Sequence, residues 1–132
     1  MDSSPVLRNP PLVALAGWLV PGLGYWFLGQ RGRAITIGVT ILIVFVLGLL
    51  IGGIKVVDAP DGFANIAQKP WFIGQILAGP VSVVSAVLAD RTKVMSHAHS
   101  WEIGTLYTAV AGMLNLLAII DSAHRASQES GA

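Results

Sequence analysis

The chain has 132 residues, a net charge of +1, no cysteine and 54% hydrophobic side chains, with a mean hydropathy of +0.70. Lack of cysteine excludes disulfides, thiolate metal sites and thiol chemistry, and the near-neutral balance suggests neither a nucleic-acid-binding surface nor a strong overall attraction to anionic lipid. One domain of this size has no interior large enough to hide so much apolar surface, so the composition calls for lipid.

All eight Lys/Arg and all seven Asp/Glu side chains fall outside four segments, 11–28, 34–54, 71–89 and 103–120. Each segment has about 18 to 21 residues, which as helix measures roughly 27 to 32 Å, the depth of a bilayer's hydrocarbon layer. This pattern predicts an all-α integral membrane protein, one domain over 1–132 with about four transmembrane helices in a small bundle and a polar tail at 121–132. The residues before the first segment, with Asp2 and Arg8, lack the basic stretch of a signal peptide, so that segment reads as a retained span.

The first segment holds Pro21, Gly22 and Gly24 in its middle, which predicts a helix kinked or unwound at Pro21 and leaves a broken or re-entrant first helix as the alternative. The second, 34–54, is dense in Ile, Leu and Val and should insert alone. The third and fourth carry Gly, Ser, Thr, Gln and Asn among their apolar residues and need helix neighbours. Pro80 in the third segment stands where Pro21 stands in the first, the only hint of an internal repeat. Tyr25, Trp26, Trp71, Phe72 and Trp101 lie at segment ends, where amphipathic rings favour the headgroup layer. The tail after Asp121, rich in Ser, Gln and Gly, is expected to fray. With four spans, Lys and Arg divide equally between the two faces. The pair Arg31 and Arg33 in the shortest loop tilts that loop toward the cytoplasm.

Small residues recur at four-residue steps: Gly48 and Gly52; Gly74, Ala78, Ser82 and Ala86; Gly104, Thr108 and Gly112. That step keeps them on one helix face, where backbones approach closely. These faces either close the bundle or receive a second copy or another membrane protein. Asn115, Gln75, Thr36 and Thr40 are the notable polar groups inside the segments, and none is ionisable. Asn115 is expected to make an interhelical hydrogen bond. With no ionisable group in the spans, a proton-driven carrier is disfavoured.

His97, His99, Asp90 and Glu102 between the last two segments are the residues from which a zinc site would have to be assembled. No metal-ligand spacing supports one, and no metal or cofactor is expected. Asp121 and His124, three apart, would share a helix face and form an ion pair. No nucleophile, phosphate loop or carboxylate dyad stands in a catalytic context, so no catalytic residue is assigned.

The run Pro21-Gly-Leu-Gly-Tyr-Trp-Phe-Leu-Gly-Gln30, followed by Arg31-Gly-Arg33 and a strongly apolar helix, resembles the signature of the two-transmembrane-helix domain over residues 11–54. The turn differs from the Asp-Arg-Phe-like turn of many members of that group. Together with the ending Gly104-Thr-Leu-Tyr-Thr-Ala-Val-Ala-Gly-Met-Leu-Asn-Leu-Leu-Ala-Ile-Ile-Asp121, the chain is similar to a family of small bacterial membrane proteins classified as a domain of unknown function. The resemblance marks Pro21, Gly22, Gly24, Gly29, Asn115 and Asp121 as signature positions and implies no activity. It places the chain in a bacterial cytoplasmic membrane. The resulting expectation is a non-enzymatic scaffold, accessory or assembly subunit acting through helix contacts. The alternatives are a small oligomeric transporter or channel, suggested by Pro21 and Pro80, and a membrane enzyme with a loop metal site.

Overall fold

Proline and glycine decide where the helices of this chain begin and stop. The computed structural model describes residues 9–53, 70–92 and 98–131, and its regular elements are all α-helices. In chain order they are α1 (Pro10–Leu19), α2 (Leu23–Phe27), α3 (Arg31–Gly52), α4 (Pro70–Ile76), α5 (Pro80–Thr92) and α6 (Ala98–Gly131). Prolines occupy the first turn of α1, α4 and α5, where a missing N–H costs nothing. Two helices are long and apolar enough to cross a membrane: α3, and α6 from Glu102 onward.

α3 and α6 form an antiparallel pair. Gly48 and Gly52 of α3 lie against Gly104 and Thr108 near the start of α6, and Ile37 and Ile41 share a groove with Leu114 to Asp121 near its far end. The buried side of α3 runs Ala34, Gly38, Ile41, Phe45, Gly48, Gly52, steps of three and four that keep one seam on one face. α6 is the hub of the fold and packs against α1, α2, α3 and α4.

The first and third apolar segments do not form straight spans. α1 ends at Leu19, the chain turns through Val20–Gly22, and α2 runs back the way α1 came. Gly17 packs on Ile119, Gly24 on Ser122 and the Val13 carbonyl, and Val13, Leu28 and Ala126 share one apolar cluster. Both arms of this hairpin therefore lie at the Asp121 end of α6. Instead of kinking, the chain reverses, because Gly22 takes φ +88°, a left-handed conformation open to glycine, and Pro21 has no N–H to continue α1.

The third segment repeats the device from the opposite end. α4 runs parallel to α6, with Gly74 against Ala109 and Gly112, Gln75 bonded to Thr108 and Leu77 bonded to Asn115. It stops at Ile76, and Gly79 at φ +95° redirects the chain into α5. Chain length fixes the direction of α5. From the level of Asn115 back to Ala98 is about 25 Å of helix, while the link from Thr92 to Ala98 spans at most about 22 Å. Had α5 continued toward the Asp121 end, that gap would exceed 40 Å, roughly twice the reach. α5 therefore returns toward the end from which α4 came. Hairpin plus long helix thus occurs twice, α1–α2–α3 and α4–α5–α6, in opposite directions.

Two further expectations are corrected. The residues after Asp121 do not fray; they are the last turns of α6, which continues to Gly131. The third linker is shorter than Asp90–Glu102, since α5 continues through Thr92 and α6 begins at Ala98. Helix formers such as Ala, Arg, Gln and Glu after Asp121 outweigh the serines.

Close contacts make the glycine seams testable. A Cβ on Gly112 would meet the Gly74 carbonyl, backbone that has no rotamer by which to retreat, whereas Gly32 has open space around it. Gly112→Val is expected to destabilise the fold by about 1–3 kcal/mol or more. Gly32→Ala should change stability by less than about 1 kcal/mol, on the favourable side. Thermal melting of the two variants in one detergent checks both.

Candidate functional site

The two chain reversals meet. Trp18, one residue before the end of α1, donates its indole Nε1–H to the Ile76 carbonyl at the end of α4, 3.2 Å away. Gly79, in the second reversal, lies directly against the Trp18 carbonyl, where a side chain would collide. Gly22 in the first reversal is held as tightly by Ala34 and Gly38 of α3. Glycine at 22 and 79 thus answers two demands at once, a positive φ and a backbone-to-backbone approach.

A helix that stops inside an apolar layer leaves its last carbonyls without helical partners. Here the Gly79 and Ser82 N–H groups reach the Ile76 and Gly79 carbonyls, and side chains add further donors. Asn115 Nδ2 donates to the Leu77 carbonyl at 2.8 Å, Ser82 Oγ donates to the Gly79 carbonyl at 2.7 Å, and Trp18 serves Ile76. Below Asn115, Gln75 Nε2 donates to Thr108 Oγ1 at 2.8 Å. Gln75, Ser82, Thr108 and Asn115 are all fully buried. Asn115 Oδ1 is buried and has no hydrogen-bond partner. Pro21 supplies no N–H to the Gly17 carbonyl, so the junction is rich in acceptors. The junction is closely packed, with backbone against backbone at Gly22 and Gly79.

Of the positions singled out in the sequence, Ser82 and Asn115 bond carbonyls of the second reversal and Ala78 packs beside Gly112, while Pro21 and Gly22 lie against Ala34 and Gly38 of α3. Gly74, Gly104, Thr108 and Gly112 form the seams beneath the junction. Gly24 lets α2 touch Ser122, and Gly29, at φ +76°, lies in the turn to α3 with open space around it. Thr36 and Thr40 return their hydroxyls to their own helix, bonding Gly32 and Thr36 carbonyls. Trp18 and Gly79 were missed. The signal for them was the Gly-Pro pair at 79–80 mirroring the Pro-Gly pair at 21–22, with an indole just before the first.

Asp121 lies apart from the junction, at the end of α6 where α2 returns. It accepts from the Tyr25 hydroxyl at 2.7 Å and from Arg125 Nε at 2.8 Å. The expected pairing with His124 does not form, because the four-residue step brings Arg125 onto the same side, and His124 Nε2 instead meets Gln128. Of the residues considered for zinc, His97 lies outside the described residues and His99 falls in the first turn of α6. No cluster of three metal-ligating side chains occurs among the described residues.

Replacing Asn115 tests what holds the junction. Asn115→Leu leaves the Leu77 carbonyl without its donor and should lower stability by about 1–2 kcal/mol. Trp18→Phe removes the indole hydrogen bond to Ile76, leaves the backbone contact at Gly79, and should cost about 1 kcal/mol. Because both act on one junction, the double variant should lose less than the sum, as a double-mutant melting cycle would show.

No curated protein and no solved structure matches this chain. A family model does, over residues 12–131, so the chain belongs to the family of unknown function DUF6677.

Proposed function

We propose that this chain is a multi-pass integral membrane protein that α3 and α6 cross completely, with the α1–α2 and α4–α5 hairpins dipping in from opposite faces. In this reading the junction of the hairpins is a non-enzymatic site for a small polar solute or monovalent cation, and the protein is a small channel or carrier. The meeting of two interrupted hairpins at Trp18 and Ile76 carries the proposal, since paired helix breaks near the bilayer midplane are how many transporters expose backbone dipoles to a substrate.

The distribution of side chains supports a lipid surround. The buried seams are mostly Gly, Ala, Ser, Thr, Asn and Gln, whereas Leu50, Leu106, Leu117 and Met113 are more than half exposed. Ile35, Ile43, Val46 and Leu47 are also exposed along the same α3. Water would not tolerate so continuous an apolar surface, and lipid requires it. A bacterial cytoplasmic membrane suits such a helical fold. The small-residue faces that suggested a scaffold or accessory subunit are occupied within the chain, Gly48 by Gly104 and Gly74 by Gly112. That moves the weight from the exterior to the buried junction.

Four straight spans and two spans with two hairpins differ in sidedness, and the cysteine-free chain is a clean background for single cysteines. With two hairpins, cysteines at Ala64 and Ser96 should label from one face and one at Ser127 from the other. Four straight spans would put Ser96 alone on its face. For the transport reading, proteoliposomes should pass either a neutral hydrogen-bond donor such as water, glycerol or urea, or a monovalent cation. Asn115→Leu should reduce that flux at least tenfold, about 1.4 kcal/mol of lost interaction. Absence of flux for every solute of both classes would overturn this reading.

A further inference from the structure

A second feature lies away from the junction, at the Asp121 end of the long helix pair. A groove of about 340 Å³ opens between α3 and α6. Its walls are Ile37, Thr40 and Ile41 on one side and Leu114, Leu117 and Ala118 on the other. These stripes advance by three and four residues along each helix, so the groove runs with the helix axes for about 10 Å. Thr40 offers no free hydroxyl proton to it, because that proton is given to the Thr36 carbonyl. The walls are thus apolar along their length, and Tyr25 and Asp121 close one end.

That end has a charge pattern of its own. Arg33 stands one turn before Ile37 on the same face of α3 and acts electrostatically on both Tyr25 and Asp121. Its Nη1 donates to Gln30 Oε1 at 3.3 Å, and the side chain is exposed. Arg31 lies over the Trp26 ring, 5.5 Å from its centroid. Arg125 is bound to Asp121, and Tyr25 donates to the same Oδ2 of that carboxylate. Among the described residues, three guanidinium groups at this end stand with two carboxylates, Asp121 and, two turns farther along α6, Glu129. The charge of Asp121 is paired with Arg125 at 2.8 Å. Excess positive charge above an apolar slot of chain width complements an anionic amphiphile.

We propose that this groove seats one acyl chain of an anionic phospholipid, with its phosphate against Arg33 at the Asp121 end. The proposal rests on α3 and α6 crossing the bilayer, and it is independent of any transport at the hairpin junction. Arg33 supplies the charge-assisted hydrogen bond, and the planar fork of guanidinium matches phosphate oxygens. Thr40 and Ala118 keep the slot open because their side chains are short.

Native mass spectrometry and melting of the detergent-purified chain test this, using phosphatidylglycerol and phosphatidylcholine with identical acyl chains. Phosphatidylglycerol should bind one per chain and about tenfold more tightly, as expected for one charge-assisted bond. Arg33→Gln should erase the preference, Arg33→Lys should retain most of it, and Thr40→Phe, which fills the groove, should weaken both lipids. Soluble glycerol phosphate should not compete, since it has no chain to bury. Equal binding of the two lipids, a preference that survives Arg33→Gln, indifference to Thr40→Phe, or full competition by glycerol phosphate would each overturn the site. Loss of lipid selectivity with the cysteine sidedness intact rejects only this site, whereas altered sidedness rejects the membrane arrangement beneath it.

Discussion

A backbone that leaves its helix inside a packed protein must find hydrogen-bond partners there, and this fold is organised around doing so where α4 gives way to α5. The reversal at Gly79 presents the carbonyls of Ile76, Leu77 and Gly79 to neighbouring elements. Asn115, Ser82 and the Trp18 indole answer them, each from a different element. Each of these groups is itself polar and interior, so each depends on the reversal it serves. Remove the breaks and Asn115 would be a costly polar group in a helix seam; remove Asn115 and the Leu77 carbonyl would be stranded.

The long helices supply the frame that makes this possible. Gly48 against Gly104 and Gly74 against Gly112 bring backbones close enough for short side chains to span the gap. Asn and Ser reach only two or three bonds from the backbone, so wider helix spacing set by Leu or Phe would put the stranded carbonyls beyond them. Packing and polar satisfaction are therefore one requirement here. The bulky residues meanwhile point outward, Leu50, Leu106, Leu117 and Met113 among them.

The opposite directions of the two hairpin-plus-helix units give the molecule an approximate inverted symmetry that side chains barely reflect. Pro-Gly at 21–22 and Gly-Pro at 79–80 are its only clear trace in sequence. One hairpin ends in a five-residue α2 and the other in a thirteen-residue α5. The likeness is thus one of topology more than of dimension. It places the two reversals at similar depth from opposite faces, and the indole of one reaches the carbonyl of the other.

Composition and charge placement pointed to an all-α chain, because both follow from local periodicity and from counting, and the described residues are helical throughout their regular elements. The four-residue steps of small residues mark helix faces, and the structure sets Gly48 against Gly104 and Gly74 against Gly112. Segment length also identified α3 and the apolar part of α6. It could not distinguish one unbroken helix from two joined at a turn, since 71–89 is as long and apolar as a span either way. Only tertiary structure decided that, because the direction of a chain after Gly79 depends on a single positive φ and on the reach of the link to α6. The partners of Asp121 were likewise beyond sequence reach. Tyr25 lies 96 residues away along the chain, and only the return of α2 beside α6 brings its hydroxyl to the carboxylate.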